Sequence, residues 1–291
     1  MASIVVTVMA TTPSVGIAVP PSNSLNVAVG PQYDTTHVYV APADFDAFVA
    51  SVLATFGGTA SKRSDISVTP TPSTTMSQLV RTPVGVLSVF GFKTPIPYPF
   101  GTERTGYLVT DLGVAVRAAR SHGAAVIVAP FADMVGKDAV IQWPGGVNMQ
   151  FYWHTKPSSF DALRTIPENR IYLSPDRADD FITRFVGFAR GKVVADDSRA
   201  PGVEIGRPDE GYRCIQLESR FGKLRVLVTN GHLPYPYGHE NTGYEVSNLQ
   251  ETLDKAVAAG VTVLNPPYRA RGRESAMVRF PGGYIAEIHS P

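Results

Sequence analysis

The sequence predicts an α+β protein of two tandem domains, each built from two β-α-β-β-β modules. A long internal echo carries the first half of that statement. Pro97–Leu112 (PYPFGTERTGYLVTDL) returns as Pro234–Leu249 (PYPYGHENTGYEVSNL). The echo continues from Ala124–Pro130 to Val261–Pro267, and from Trp143–His154 to Phe280–Pro291. The offset is about 137 residues, far beyond a solenoid or propeller period, so duplicated domains are the simpler reading. A second echo carries the other half. Between Thr36–Gly58 and Asn169–Gly191, Arg170 falls over His37, Tyr172 over Tyr39, Pro175 over Pro42 and Phe181 over Phe48.

Each opening reads as strand, turn and helix. In the first module, His37–Ala41 is β-rich, Pro42 breaks it, Asp44 caps a helix over Phe45–Phe56, and Gly57-Gly58 ends it. Strand-like runs follow in MSQLVRTP and GVLSVFGF, answered in the third module by YRCIQLESRF and KLRVLVTN. In the second module, TGYLVTD leads to Asp111 as the cap of a helix over Leu112–Ser121. Its apolar face is Ala115, Val116, Ala118 and Ala119, and Gly123 closes it. Three short strands come next, AAVIVAP, DAVIQWP and VNMQFYWH, separated by Pro- and Gly-bearing turns. The fourth module repeats this with TGYEVSN, a helix over Leu249–Ala259, Gly260, and then VTVLNPP, SAMVRFP and YIAEIHS. The organisation expected is an N-terminal arm (1–30), a first domain (31–155), a linker (156–167) and a second domain (168–291).

Composition narrows the function classes. With 44% hydrophobic and 18% charged residues and a net charge of +1, the chain suits a soluble globular protein. Nothing marks electrostatic capture of nucleic acid or of an anionic membrane. The dense basic stretch Arg269–Arg273 reads as a solvated loop. Cys214 is the only cysteine, which excludes an intrachain disulfide and a thiolate-rich metal site; its alternating surroundings suit a core thiol. Residues 1–30 hold no charged side chain, and the apolar patch Ile4–Ala10 lacks a basic flank and is too short to span a bilayer. A flexible arm or an added edge strand, and cytoplasmic residence, are the expectations. There is no G-x-S-x-G elbow, Walker sequence or H-E-x-x-H, and the two Pro-Gly-Gly turns read as hairpin corners.

The helices of pattern D-x-x-x-A and the closing P-G-G-x-x-x-E/Q strands, in this order and repeated, resemble the vicinal oxygen chelate superfamily. That group includes glyoxalase I, extradiol dioxygenases, fosfomycin-resistance enzymes and bleomycin-binding proteins. The resemblance runs from about Tyr33 to Pro291. It implies glyoxalase-like domains in which paired modules curl their sheets into open half-barrels. It also implies a divalent metal (Ni, Zn, Fe or Mn) in a cleft, held by imidazole and carboxylate donors. One ligand position lies seven residues before the helix-capping residue; another lies four past the second Gly of the P-G-G turn. Here those positions carry His37, Arg104 and Gln150 in the first half and Asn241 and Glu287 in the second, and alignment with the first module adds Arg170.

Two pairings of modules stay open at this level. If neighbours pair, one cleft holds His37, Arg104 and Gln150, and the other holds Arg170, Asn241 and Glu287. A guanidinium stays protonated and does not ligate a metal. If the first and fourth modules pair, His37 and Glu287 meet, with Asn241 near them and His239 or Glu240 as further metal ligands. Glu287 would then serve as ligand or as catalytic base. Arg104 and Arg170 would hold an anionic or carbonyl oxygen, with Gln150, Asn241, Tyr98 and Tyr235 as further substrate contacts. Two functions follow from the resemblance. The first is a metal-dependent lyase/isomerase or oxygenase acting on a small oxygenated substrate. The alternative is a metal-free protein that sequesters a small molecule. A small-molecule ligand, no nucleic acid or membrane partner, and a monomer or homodimer are expected in either case.

Overall fold

The computed structural model describes residues 26–291. The first half contains β1 (Thr35–Tyr39), β2 (Thr59–Ala60), β3 (Ser64–Ile66), β4 (Thr75–Thr82) and β5 (Gly85–Phe92). It continues with β6 (Thr105–Leu108), β7 (Ala125–Ala132), β8 (Gly136–Gln142) and β9 (Asn148–His154). These nine form one sheet in the order β2-β4-β5-β1-β6-β9-β8-β7, with β3 beside β4. The second half contains β10 (Glu168–Leu173), β11 (Lys192–Pro201), β12 (Gly211–Ser219), β13 (Gly222–Val228) and β14 (Asn241–Glu245). Its remaining strands are β15 (Thr262–Val263), β16 (Tyr268–Ala270), β17 (Arg273–Arg279) and β18 (Ile285–Ser290). Their order, β11-β12-β13-β10-β14-β18-β17-β15 with β16 beside β17, repeats the first. Neighbouring modules therefore share a sheet. The seam is antiparallel in both, β1 against β6 (Thr35 opposite Gly106) and β10 against β14 (Arg170 opposite Asn241).

Four helices cover the sheets: α1 (Phe45–Phe56), α2 (Leu112–Ser121), α3 (Pro175–Ala189) and α4 (Leu249–Ala258). Asp111 caps α2 by accepting from the Val114 amide (2.7 Å), and Asn248 caps α4 by accepting from Glu251 (3.0 Å). Asp44 does not cap α1 in this way. It ends a 3-10 turn, Pro42–Asp44, and its backbone is already helical (φ −96°, ψ −3°), whereas a capping side chain needs an extended residue. Strands β2, β3, β11 and β16 were not legible in the sequence, because short or polar edge strands carry little apolar alternation. VTVLNPP forms a strand only over Thr262–Val263, before Pro266-Pro267 removes two ladder donors.

Helices join what the sheets do not. Leu112, Ala115, Val116 and Ala119 of α2 pack with Phe181, Ile182, Phe185 and Phe188 of α3, around Trp143 and Phe151. Phe48, Val49 and Val52 of α1 pack with Leu249, Leu253 and Ala256 of α4, above Val38, Ala286 and Ile288. Each such ring contributes roughly 1.5–3 kcal/mol by burial, so the two shared cores weld the halves together. The backs of the sheets touch here, with Thr36 Oγ1 3.4 Å from Thr242 Oγ1. Because side chains alternate along a strand, Thr36 and Val38 face this core while His37 and Tyr39 face the opposite side. Ala286 and Ile288 likewise enter the core, and Glu287 and His289 turn away.

Most of the expected N-terminal arm lies in residues 1–25, outside those described. Of its described residues, Val27 and Ala28 are buried, and Ala28 bridges Val109. Among the described residues no helix is long and apolar enough to cross a membrane.

Candidate functional site

The floor of the first sheet is built by alternation from β1 (Thr35, His37, Tyr39), β5 (Ser88, Phe90) and β9 (Gln150, Tyr152). Above it lies a cavity of about 310 Å³, into which His37, Ser88, Phe90, Asp138, Gln150 and His154 face. Gly106, on the seam, makes room for the imidazole, since a Cβ there would stand 2.5 Å from His37 Nε2. On the other side of the ring, His37 Nδ1 lies 3.6 Å from Glu103 Oε1. Glu103 is fully buried, accepts a hydrogen bond from the Tyr39 hydroxyl, and has one carboxylate oxygen, Oε2, without a hydrogen-bond partner among the described residues. Phe90 meets the His37 ring edge-on, with centroids 5.4 Å apart. Burial pushes the Asp138 carboxyl up to about 8, Asp133 adds to the rise, and Gln150 opposes it. Burial lowers His154, whose Nδ1 sits 2.7 Å from Ser158 Oγ.

The second floor has different chemistry at matched positions. Glu287 receives Arg170 Nη1 at 2.6 Å and Arg273 Nη2 at 2.9 Å. Glu168 contacts Arg225 (2.8 Å), Arg170 (3.4 Å) and Arg273 (3.4 Å). Glu204 contacts Arg271 (2.8 Å) and Arg225 (3.2 Å), and accepts from the Tyr212 hydroxyl (2.7 Å). Burial alone would raise Glu287 and Glu168, but the guanidinium groups around them hold both carboxyls below their usual range. Gly243 matches Gly106: a Cβ there would stand 2.7 Å from Glu287 Oε2.

The candidate residues are thus dispersed. His37 and Gln150 share the first cleft, and Arg170 and Glu287 share the second. His37 and Glu287 face away from each other across the common core, so the first and fourth modules share a core and not a cleft. His239 is exposed, and its carbonyl accepts from Asn241 Nδ2 (3.0 Å). Arg104, Glu240 and Asn241 line a small recess between the two halves. Burial pushes Glu240 up to about 7 there, against the pull of Arg104. Tyr98 and Tyr235 are 73% and 60% exposed on two cis-proline turns, outside both clefts. The stretch Arg269–Arg273 is not a solvated loop. The β16–β17 hairpin folds it over the second floor, so Arg271 and Arg273 join the ion network and Arg269 alone stays mostly exposed.

Several floor residues escaped sequence reasoning: Tyr39, Glu103, Ser88 and Asp138 in the first cleft, and Glu168, Glu204, Arg225, Arg271, Arg273 and His289 in the second. A partial signal existed in the i, i+2 spacing of Glu168, Arg170 and Tyr172, of Arg271 and Arg273, and of Glu287 and His289. Glu103, Glu204 and Arg225 come from other segments and gave none.

No protein-family model matches the sequence, nor does any curated protein. Solved structures do match in fold. A 4-hydroxymandelate synthase variant from Streptomyces coelicolor aligns over 91% of this chain and 93% of its own, at TM-score 0.63 and 11% identity. The Mn(II)-bound glyoxalase from Novosphingobium aromaticivorans aligns over 91% and 83%, at TM-score 0.54 and 13% identity. A 2,3-dioxygenase from Pseudomonas sp. KL28 aligns over 88% and 91%, at TM-score 0.52 and 11% identity. The chain therefore has the tandem vicinal oxygen chelate fold, α+β, with two open sheets.

The donor chemistry does not fit a divalent metal in either cleft. In the second, the ligand positions hold a guanidinium and a carboxylate already bound by two guanidinium groups. In the first, the ligand positions supply only an imidazole (His37) and an amide (Gln150), and Arg104 stands outside. Among the described residues, no group of three or more His, Cys, Asp or Glu side chains is disposed to hold a metal.

Proposed function

We propose that the protein binds a small, uncharged, oxygen-bearing organic molecule in the first cleft, without a metal. One observation carries this reading. His37 and Gln150 themselves line a cavity of about 310 Å³, whereas the matched Arg170 and Glu287 are locked in a 2.6 Å ion pair and line none of the cavity of about 300 Å³ beside them. Phe90, Leu79 and Val68 offer the cavity apolar walls, and His37, Gln150 and Asp138 offer a few polar anchors, the mixture expected of a small-molecule site. The test is calorimetric titration with catechol, a neutral vicinal diol. Binding is expected in the presence of a chelator and is expected to vanish in Ser88→Trp, which fills the cavity. Binding that disappears on chelation and returns with a divalent ion would sink the metal-free reading.

A second reading, of a proton-transfer enzyme of the lyase/isomerase kind, is favoured by the His37–Glu103 contact. The Glu103 carboxyl lies 3.6 Å from Nδ1, too far for a hydrogen bond, so the two are adjacent acid–base groups that a substrate would have to draw together. Proton exchange at the carbon beside the carbonyl of dihydroxyacetone, followed in D2O by NMR, tests it. Exchange present in the wild type and absent in His37→Gln supports the enzyme; equal exchange in both discards it.

A further inference from the structure

The geometry points to a second, independent site: the cleft of the second sheet takes the carboxylate or phosphate group of a small anionic molecule. The charge count comes first. Arg170, Arg225, Arg271 and Arg273 form one contact chain with only three carboxylates, Glu168, Glu204 and Glu287. Arg170, Arg225, Glu204 and Glu287 are buried, Glu168, Arg271 and Arg273 are half-buried at the edge, and the cluster carries one excess positive charge, which is unfavourable away from water unless an anion joins it.

Hydrogen-bond accounting agrees. On the arginines that line the cavity of the second cleft, Arg271 Nε and Arg273 Nε are buried without a partner among the described residues. Both are guanidinium N–H groups, which only donate, so what this wall lacks is acceptors, and an oxyanion supplies several in one group. Access exists as well. A cavity of about 300 Å³ opens onto Arg225, Arg271, Arg273 and His289. The carboxylates in its wall are already engaged: Glu168 by the arginines, Glu218 by Lys192 (3.5 Å) and Glu245 by Lys223 (3.5 Å).

The scaffold does not require these charges. At the matched places of the first sheet, Glu168, Arg170 and Arg225 are replaced by Thr35, His37 and Ser88 in an identical strand order. A role in ligand recognition accounts for a donor-rich cluster on one copy of the floor only. The guanidinium fork suits carboxylate and phosphate oxygens, and the size of the cavity limits the anion to a small metabolite.

The experiment uses the full chain and two probes, inorganic phosphate and pyruvate, each against sodium chloride at equal ionic strength. Thermal unfolding is expected to shift upward with one or both probes beyond the chloride control, as binding to the native state requires. A response to phosphate alone assigns a phosphorylated ligand, and a response to pyruvate alone assigns a carboxylate. Arg271→Met, at the partly exposed edge of the cluster, should weaken the response about tenfold, and Arg271→Lys should weaken it less. Val194→Trp narrows the same cavity from its exposed wall without touching the ion pairs, which gives a second variant should Arg271→Met fold poorly. His37→Ala should leave the anion response intact, separating this site from the first cleft. Equal unfolding temperatures in phosphate, pyruvate and chloride would overturn the proposal, as would an undiminished response in both Arg271→Met and Val194→Trp.

Discussion

On the first floor stand Thr35, His37, Ser88, Gln150 and Tyr152; the same places on the second hold Glu168, Arg170, Arg225, Glu287 and His289. The strand order is nonetheless the same. The two copies share what builds the sheet: apolar residues toward the common core, Asp111 and Asn248 capping the second helix of each half, and a seam glycine close against a floor side chain, His37 in one and Glu287 in the other. They differ in what fills the concavity. One floor sets its cavity directly over a histidine, and the other fills its centre with arginine–glutamate pairs and sets its cavity beside them. A fold can thus be held by its convex side while its concave side changes chemistry.

The largest expected effect comes from breaking the ion network. Glu287→Ala strands Arg170 and Arg273 without their acceptor and should cost about 3–5 kcal/mol in urea unfolding. Gln150→Ala, at the matched position, should cost less than about 1 kcal/mol. Equal losses would mean that the two floors are not distinct in energy.

Next are the seam glycines. Gly243→Ala drives a methyl to 2.7 Å from a carboxylate clamped by two arginines, so a loss of about 1–3 kcal/mol is expected. Gly106→Ala meets His37 Nε2 at 2.5 Å, but that ring borders a cavity and has room to turn. Its cost in the same assay should be the smaller of the two, and the reverse order would show that His37 is the more rigid group.

The clefts should also respond to pH with opposite sign. Asp138 is raised from 3.8 to about 8, so the native state holds a proton that the unfolded chain has released, and stability at this group falls as pH rises between those values. Asp138→Asn should flatten that part of the urea-midpoint profile. Glu287 is held below 4.5, so its contribution is present above that value and is lost as pH falls through its lower native value. Glu287→Gln should remove that acid limb and leave the upper one unchanged.

The smallest effect is expected outside both clefts. Lys255→Ala removes an exposed pair with Glu251 one helical turn away and should change stability by less than about 0.5 kcal/mol. A larger loss would show that surface charge, and not the buried network, dominates the electrostatics of the second half.

Much of the fold was legible because its signals are local. The bounds of α2, Leu112–Ser121, emerged where its cap, apolar face and terminal glycine set them, and those of α1, Phe45–Phe56, where its apolar face and closing glycines did, although its expected cap, Asp44, makes no capping bond. Cys214 sits buried in β12, as its alternating neighbours implied. The site was less legible. Arg271 and Arg273 read as a charged surface run, because a run of charges says nothing of what a hairpin will fold it onto. Glu103 reaches His37 from a loop about 66 residues away, a contact that no spacing rule encodes.

By itself the sequence determined the duplication, the element order and, through alternation, that His37 and Glu287 each stand out of phase with the apolar residues beside them. These depend on the geometry of single strands and helices. Only the tertiary structure decided that neighbouring modules share a sheet while the first and fourth, and the second and third, share a core. That choice rests on non-local contacts, α1 on α4 and α2 on α3, whose packing turns the two floors away from each other. One cleft was left with a cavity above a histidine, and the other with four arginines around three glutamates.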